Sequence, residues 1–290
     1  MANPVIRNYL VAFIDLLGQR KQMEGLLFIP PRSEVAARED FHSRIIRLIG
    51  AVAFVQQNIS HIAQASNSHH LEALEGADPA VQAQLQKYRA TNVSYQPFSD
   101  GIVLYSPLSP DGHYPLGSVY SLLSACSSIM LLTLDKGFPI RAGIAIGAGC
   151  NLNDEGVYGP VVAEAYRLES EVAKYVRIAV HNEFISWLDS FESREYLSEE
   201  DRRVATAMVA KCREMVTVDH DGVLVLDFLS PATLTLLGGI EANAQPIAGM
   251  RVFVSQMVAK FTQEENEHIL AKYKWLSRYI DSRLSGRSGH

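Results

Sequence analysis

The spacing of apolar positions changes along the chain, and the changes mark out its elements. Tyr9 to Ile14 is an unbroken apolar run ended by Asp15, the mark of a buried strand, and Gly18 and Gly25 place a loop after it. The period then lengthens. Val35, Phe41, Ile45, Ile49, Val52, Val55, Ile59 and Ile62 recur at helical spacing and predict a helix over 34–65 with Ser33 as its N-cap. A polar stretch over 66–78, with His69 and His70, reads as a surface loop. Extended runs over 92–98 and 102–106 flank Ser99-Asp100-Gly101, a hairpin signal that puts Asp100 at or beside the tip. Residues 116–134 are apolar all round and read as a buried helix stopped by Gly137.

The second half continues with a strand over 139–147, a loop over 148–158 and a helix from Gly159-Pro160 to about residue 173. A strand over 175–180, a helix over 197–215 and a hairpin over 216–228 centred on Asp221-Gly222 come next. Residues 255–283 read as one long amphipathic helix. This order predicts an α+β fold: a ferredoxin-like βαββαβ core, a mostly antiparallel sheet and helices on one face. Neither a repeat nor a linker interrupts the chain, so residues 1–290 read as one domain, with a core over about 5–230 and added helices at 34–65 and 255–283.

Composition narrows the field. An apolar share of 48% excludes a disordered chain, and Lys plus Arg of 26 against Asp plus Glu of 32 gives a net charge of −6. That balance disfavours a nucleic-acid polymer as partner but leaves room for one phosphorylated small molecule. Three widely spaced cysteines (Cys126, Cys150 and Cys212) suit a reducing, cytoplasmic setting, and no Cys or His spacing points to zinc. The N-terminus lacks the order of a signal peptide, and no clean apolar run of membrane-spanning length stands out. A Rossmann dehydrogenase is disfavoured, because no GxGxxG follows a strand.

Two carboxylates carry the chemistry. Asp15 ends a strand and Asp100 sits at a hairpin tip, and in a ferredoxin-like sheet those strands are central neighbours. Carboxylates that close repel unless a cation separates them, and a hard, oxygen-seeking ion such as Mg²⁺ or Mn²⁺ is the natural one. Two such ions between two Asp residues form a phosphoryl-transfer site.

Four segments then resemble a known family, in its order. Phe13-Ile14-Asp15-Leu16-Leu17-Gly18, Phe98-Ser99-Asp100-Gly101, Pro139 to Gly147 (PIRAGIAIG) and Gly159 to Ser170, ending in Tyr166-Arg167-Leu168-Glu169-Ser170, are similar to signatures of class III nucleotidyl cyclases. The resemblance implies that Asp15 and Asp100 hold two divalent metal ions, Mn²⁺ or Mg²⁺, with the backbone carbonyl of Ile14 or Leu16 as a further ligand. It implies that Leu17, Gly18, Gln19 and Arg20 meet the β- and γ-phosphates. Arg167 would stabilise charge on the transferring phosphoryl group, and it would come from the second subunit of a homodimer with shared active sites. Purine cyclases carry base-reading residues at the positions of Gln96 and Gly156 and a ribose-contacting Asn at Ala163; all three depart from the pattern here. The metal and phosphate residues are thus kept while the purine-reading set is absent. In this the chain most resembles the pyrimidine cyclases of the Pycsar anti-phage defence system, which make cyclic UMP or cyclic CMP to activate a separate effector. Gln96 offers a donor and an acceptor to either pyrimidine, and Tyr95 and Phe98 would narrow the pocket. The expectation is a uridylate cyclase. Cytidylate cyclase, purine cyclase and a non-catalytic nucleotide sensor are the alternatives.

Overall fold

The computed structural model describes residues 5–72, 93–108, 116–152, 156–192 and 198–285. The chain starts with β1 (Ile6–Leu16), the short α1 (Gln19–Met23) and the long α2 (Val35–Glu72). The hairpin β2 (Ser94–Phe98) and β3 (Gly101–Pro107) is next, then α3 (Leu116–Asp135) and β4 (Ile140–Asn151). After β5 (Val157–Tyr158) come α4 (Pro160–Arg167), a π-helical turn (Leu168–Ala173) and β6 (Ile178–Val180). The rest is α5 (Glu183–Glu192), α6 (Glu199–Glu214), β7 (Val216–Val218), β8 (Leu224–Leu226), α7 (Pro231–Leu236), α8 (Gly239–Ala242), α9 (Ala244–Gln263) and α10 (Glu267–Leu284).

The strands form one eight-stranded sheet in the order β2-β3-β1-β4-β6-β8-β7, with β5 paired to β4. The first four strands, β2-β3-β1-β4, are all antiparallel and have the ferredoxin-like order the pattern predicts. Only β4 and β6 run parallel, joined through α4 and the π turn as a crossover. β1 is central and buried on both sides, which is why its sequence is a continuous apolar run. Its even residues Leu10, Ala12, Ile14 and Leu16 enter the main core with α2 and α3, and its odd residues Tyr9, Val11 and Phe13 enter a second cluster. Val161, Ala165 and Leu168 complete that second cluster. The long helices therefore share one face as expected, while α4 and the π turn cover part of the other.

α3 is long and apolar enough to cross a membrane, but 89% of its apolar window is buried inside the fold. Three of its hydroxyls are satisfied locally, since Ser124, Ser127 and Thr133 donate to carbonyls four residues back, while the buried Ser121 hydroxyl has no partner among the described residues. Of the expected boundaries, several move. α2 opens at Val35, and Arg38 N–H bonds to Glu34 O, so the chain enters the helix one residue later than a Ser33 cap would set it. α2 also runs on to Glu72, because nothing in 66–72 breaks a helix already propagating; 73–78 lie outside the described residues. The expected loop over 148–158 begins as strand: β4 continues to Asn151 and pairs with β5.

The expected C-terminal helix is two helices. Glu265, at φ 52, turns the chain, and the Asn266 side chain accepts from Ile269 N–H at 3.2 Å to start α10. The two then fold together, with Phe261 stacked on Tyr273 at 5.6 Å, and α9 lies along α3.

Candidate active site

Strand register builds the site. Asp15 on β1 lies opposite Gly101 on β3 and Arg141 on β4, so one row crosses three central strands at the end where β1 leaves the sheet. Gly101 has to be glycine: a Cβ there would lie 2.6 Å from the Ile14 carbonyl oxygen. That close approach draws the hairpin onto β1, and Ser99, at φ 54, turns the chain so that Asp100 comes beside Asp15. Burial raises the Asp15 carboxyl above its ordinary range, and the charge of Asp100 raises it further. Arg141, 3.7 Å away, works against both.

The π turn adds a third carboxylate. Glu169 is buried, faces the Arg141 guanidinium and hydrogen-bonds Asp15. Burial pushes its carboxyl up to about 7 against the pull of Arg141, and the Asp15 charge adds to the rise. Glu169 and Asp15 accordingly titrate as a coupled pair. Gly143 makes this possible, since a Cβ there would stand 2.6 Å from Glu169 N and from Leu168 Cβ. Three carboxylates against one guanidinium leave an excess of negative charge on hard oxygen donors, a set that fits divalent cations of the Mg²⁺ or Mn²⁺ type.

The remaining candidates surround this row. Ile14 is registered against both Ile102 and Ala142, whereas Leu16 has only Ile140 opposite it. Leu17 N–H is donated to Pro139 O at 2.9 Å, so that amide is already committed within the fold. Gly18 is exposed at φ 85, Gln19 is buried with Oε1 unpartnered, and the Arg20 side chain lies outside the described residues.

Gln96 is one pleat along, opposite Val103, and its carboxamide rests on Gly156, where an added Cβ would fall 2.5 Å from Gln96 Cδ. The two positions that would read a base are therefore in contact. Phe98 is 56% exposed and packs edge-on against Phe13 at 5.7 Å, which meets Tyr166 at 5.2 Å. Tyr95 is also exposed.

Arg167 is not in this cluster. Its guanidinium, 45% exposed, donates to Glu164 at 2.9 and 2.6 Å, with Glu171 at 4.0 Å. Glu164 also meets His181 Nε2 at 3.3 Å, and its carboxyl is held low, first by Arg167.

Sequence reading left Arg141 and Glu169 without roles, although both lie within the cyclase-like motifs; a carboxylate two residues after Arg167 was the available signal. It also missed a buried arginine. Arg177 pairs with Asp219 at 2.5 Å and with Asp221 at 2.8 Å, and lies 4.9 Å from the Tyr175 ring centre. Asp219, His220 and Asp221 have ligand-type atoms within 4.8 Å of one another, a grouping the histidine spacing did not reveal. Both of their carboxylates are paired with Arg177, and Asp219 also accepts from His220 and Trp275, so their oxygens are more fully committed than those of the Asp15 cluster. All three cysteines are free.

Neither a protein-family model nor a curated protein matches the chain. Among solved structures it is similar to the adenylyl cyclase CyaB from P. aeruginosa, at 16% identity and a TM-score of 0.41, over 65% of this chain and 83% of that one.

Proposed function

We propose that this chain is a class III-type nucleotide cyclase acting on a pyrimidine triphosphate, converting UTP to 3′,5′-cyclic UMP and pyrophosphate. The observation that carries the reading is Asp15 flanked by Asp100, Glu169 and Arg141, with the Gln96 carboxamide lying on Gly156 where purine cyclases keep base-reading side chains. The ribose 3′-oxygen attacks the α-phosphate, its proton passes to solvent, and pyrophosphate leaves. Two divalent ions held by Asp15 and Asp100, with the Ile14 or Leu16 carbonyl, would supply charge neutralisation at the phosphates when bound.

The protein's own residues do the rest. Arg141 fixes Asp15 and Glu169 in one geometry, so the cluster is set before substrate arrives. Gly18, Gln19 and Arg20 offer backbone N–H groups to the terminal phosphates. Gln96 presents N–H to O4 of uracil, or its oxygen to the amino group of cytosine. Arg167, exposed and outside its own acidic cluster, serves the site of the second subunit of a homodimer. The cyclic product would act in the cytoplasm on a separate anti-phage effector.

The test is incubation with each of the four ribonucleoside triphosphates and Mn²⁺. Cyclic UMP and pyrophosphate are expected from UTP, and none from Asp15→Ala, Asp100→Ala or Arg167→Ala. Mixing Asp15→Ala with Arg167→Ala restores product if the two residues act across the dimer. Cyclic CMP from CTP would reassign the base. Metal-independent nucleotide binding without pyrophosphate release would overturn the enzyme reading.

A further inference from the structure

A cavity of about 650 Å³ opens behind the loop after Asp15, within the range of small-molecule sites, about 300–1,000 Å³. Leu17, Gly18 and Pro139 form one wall. The other walls come from α2, α9 and α10, and they bring four cations: Arg44, Arg47, Lys260 and Lys272. Glu264 is the single carboxylate in the lining, with Lys260 3.9 Å away. Arg44 is partly committed, donating to the Gln22 and Glu24 carbonyls and standing 3.8 Å from Asp40. Among the described residues, no carboxylate pairs with Arg47 or Lys272. Burial lowers the Lys272 ammonium, and the charge of Arg141 lowers it further, so the acidic row and this basic cavity stand close behind one another. The rest of the lining is apolar, chiefly Phe253, Met257, Phe261 and Tyr273.

Arg47 and Lys260 reach the cavity from its solvent-exposed side and Lys272 from a half-buried position, so an anion entering it meets several cations against one carboxylate. We propose that this cavity binds the phosphates of a phosphorylated small molecule, with Arg47, Lys260 and Lys272 as the anion contacts. The apolar floor takes the ligand's body. Because Leu17 and Gly18 form a wall, the bound anion bears directly on the segment that carries Asp15. The phosphates can come from two sources: the terminal phosphates of a triphosphate at the Asp15 site, or a separate regulatory ligand. The first source rests on the cyclase reading, and the second does not.

The probe is inorganic pyrophosphate, titrated calorimetrically into the full chain in EDTA, so that no cation bridges it to Asp15 and Asp100. Saturable binding is expected, weakened about tenfold or more in Lys260→Gln/Lys272→Gln and restored in Lys260→Arg/Lys272→Arg. Melting curves of each variant check that the fold is kept. Competition between pyrophosphate and UTP in the Asp100→Asn protein identifies the substrate's own phosphates, and independent binding identifies a separate ligand. Absence of pyrophosphate binding, or equal binding in wild type and the Gln variant, overturns the proposal. Neither result bears on whether UTP is cyclised.

Discussion

Gly143→Ala tests the link between packing and chemistry most directly. A methyl carbon at 143 would stand 2.6 Å from Glu169 N and Leu168 Cβ and closer still to the Ala165 carbonyl oxygen, where real Cβ atoms essentially never come within 3.0 Å. Two of those atoms are backbone, so no rotamer change relieves the clash, and the α4–π-turn segment must move off the sheet by roughly 1 Å. Overpacking that side chains can absorb costs about 1–3 kcal/mol; backbone displacement puts this case at about 3 kcal/mol or more. For a chain of this size that is a fall of roughly 5–10 °C in Tm. Gly147→Ala is the control. It lies on the same strand and face, but its Cβ would sit 3.5 Å from Val161 Cβ, an ordinary contact, so its melting point should change by less than about 2 °C. Scanning calorimetry compares the three proteins, and the product assay should show Gly143→Ala losing activity as Glu169 leaves Asp15. If Gly143→Ala melts with Gly147→Ala, the claim that close approach at 143 sets the site is wrong.

The charges set the other expected outcomes. Asp100→Asn removes the like charge that raises Asp15, so the metal-free protein should gain on the order of 1 kcal/mol while losing its Mn²⁺-induced rise in Tm; a less stable variant in EDTA would contradict the repulsion. Glu169 has a folded pKa raised to about 7, so the folded state binds the extra proton, and stability in EDTA should fall as pH rises from about 4.5 to 7, by at most about 1.4 kcal/mol per pH unit. Glu169→Gln should flatten that limb, as urea melts at stepped pH would show. Asp219 and Asp221 have the opposite sign. Hydrogen bonds from His220, Arg177 and Trp275 outweigh burial at Asp219, and Arg177 leads at Asp221, so both carboxyls are lowered. Their contribution is complete above the ordinary carboxylate range and is lost as pH falls through their folded pKa values. Arg177→Met should cost about 3–5 kcal/mol at pH 7 and remove that acid limb; an unchanged acid limb would place its origin elsewhere.

Much of the fold was legible because its signals are local. Tyr9 to Ile14 reads as a central strand from its unbroken apolar run, and α3 reads as buried because no polar face interrupts it. Where the pattern misled, the decisive interaction was one side chain or one turn. The break between α9 and α10 depends on Glu265 adopting a left-handed conformation and on Asn266 capping α10, and the apolar stripe runs through both helices without marking it. The helix over 34–65 ran past its expected end because polarity alone does not stop a helix.

The sequence by itself determined the ferredoxin-like strand order and the matched ends at which Asp15 and Asp100 stand, since turn residues and apolar runs fix strand order locally. Only the tertiary structure decided what surrounds them. Arg141 faces Asp15 through strand register, Glu169 reaches the pair because Gly143 has no side chain, and Gln96 meets Gly156 across residues distant in the chain. The pairing of Arg177 with Asp219 and Asp221, and the gathering of Arg47, Lys260 and Lys272 around one cavity, likewise join segments far apart in the chain. Contacts of that separation depend on how helices and strands pack, and no local pattern of residues encodes them.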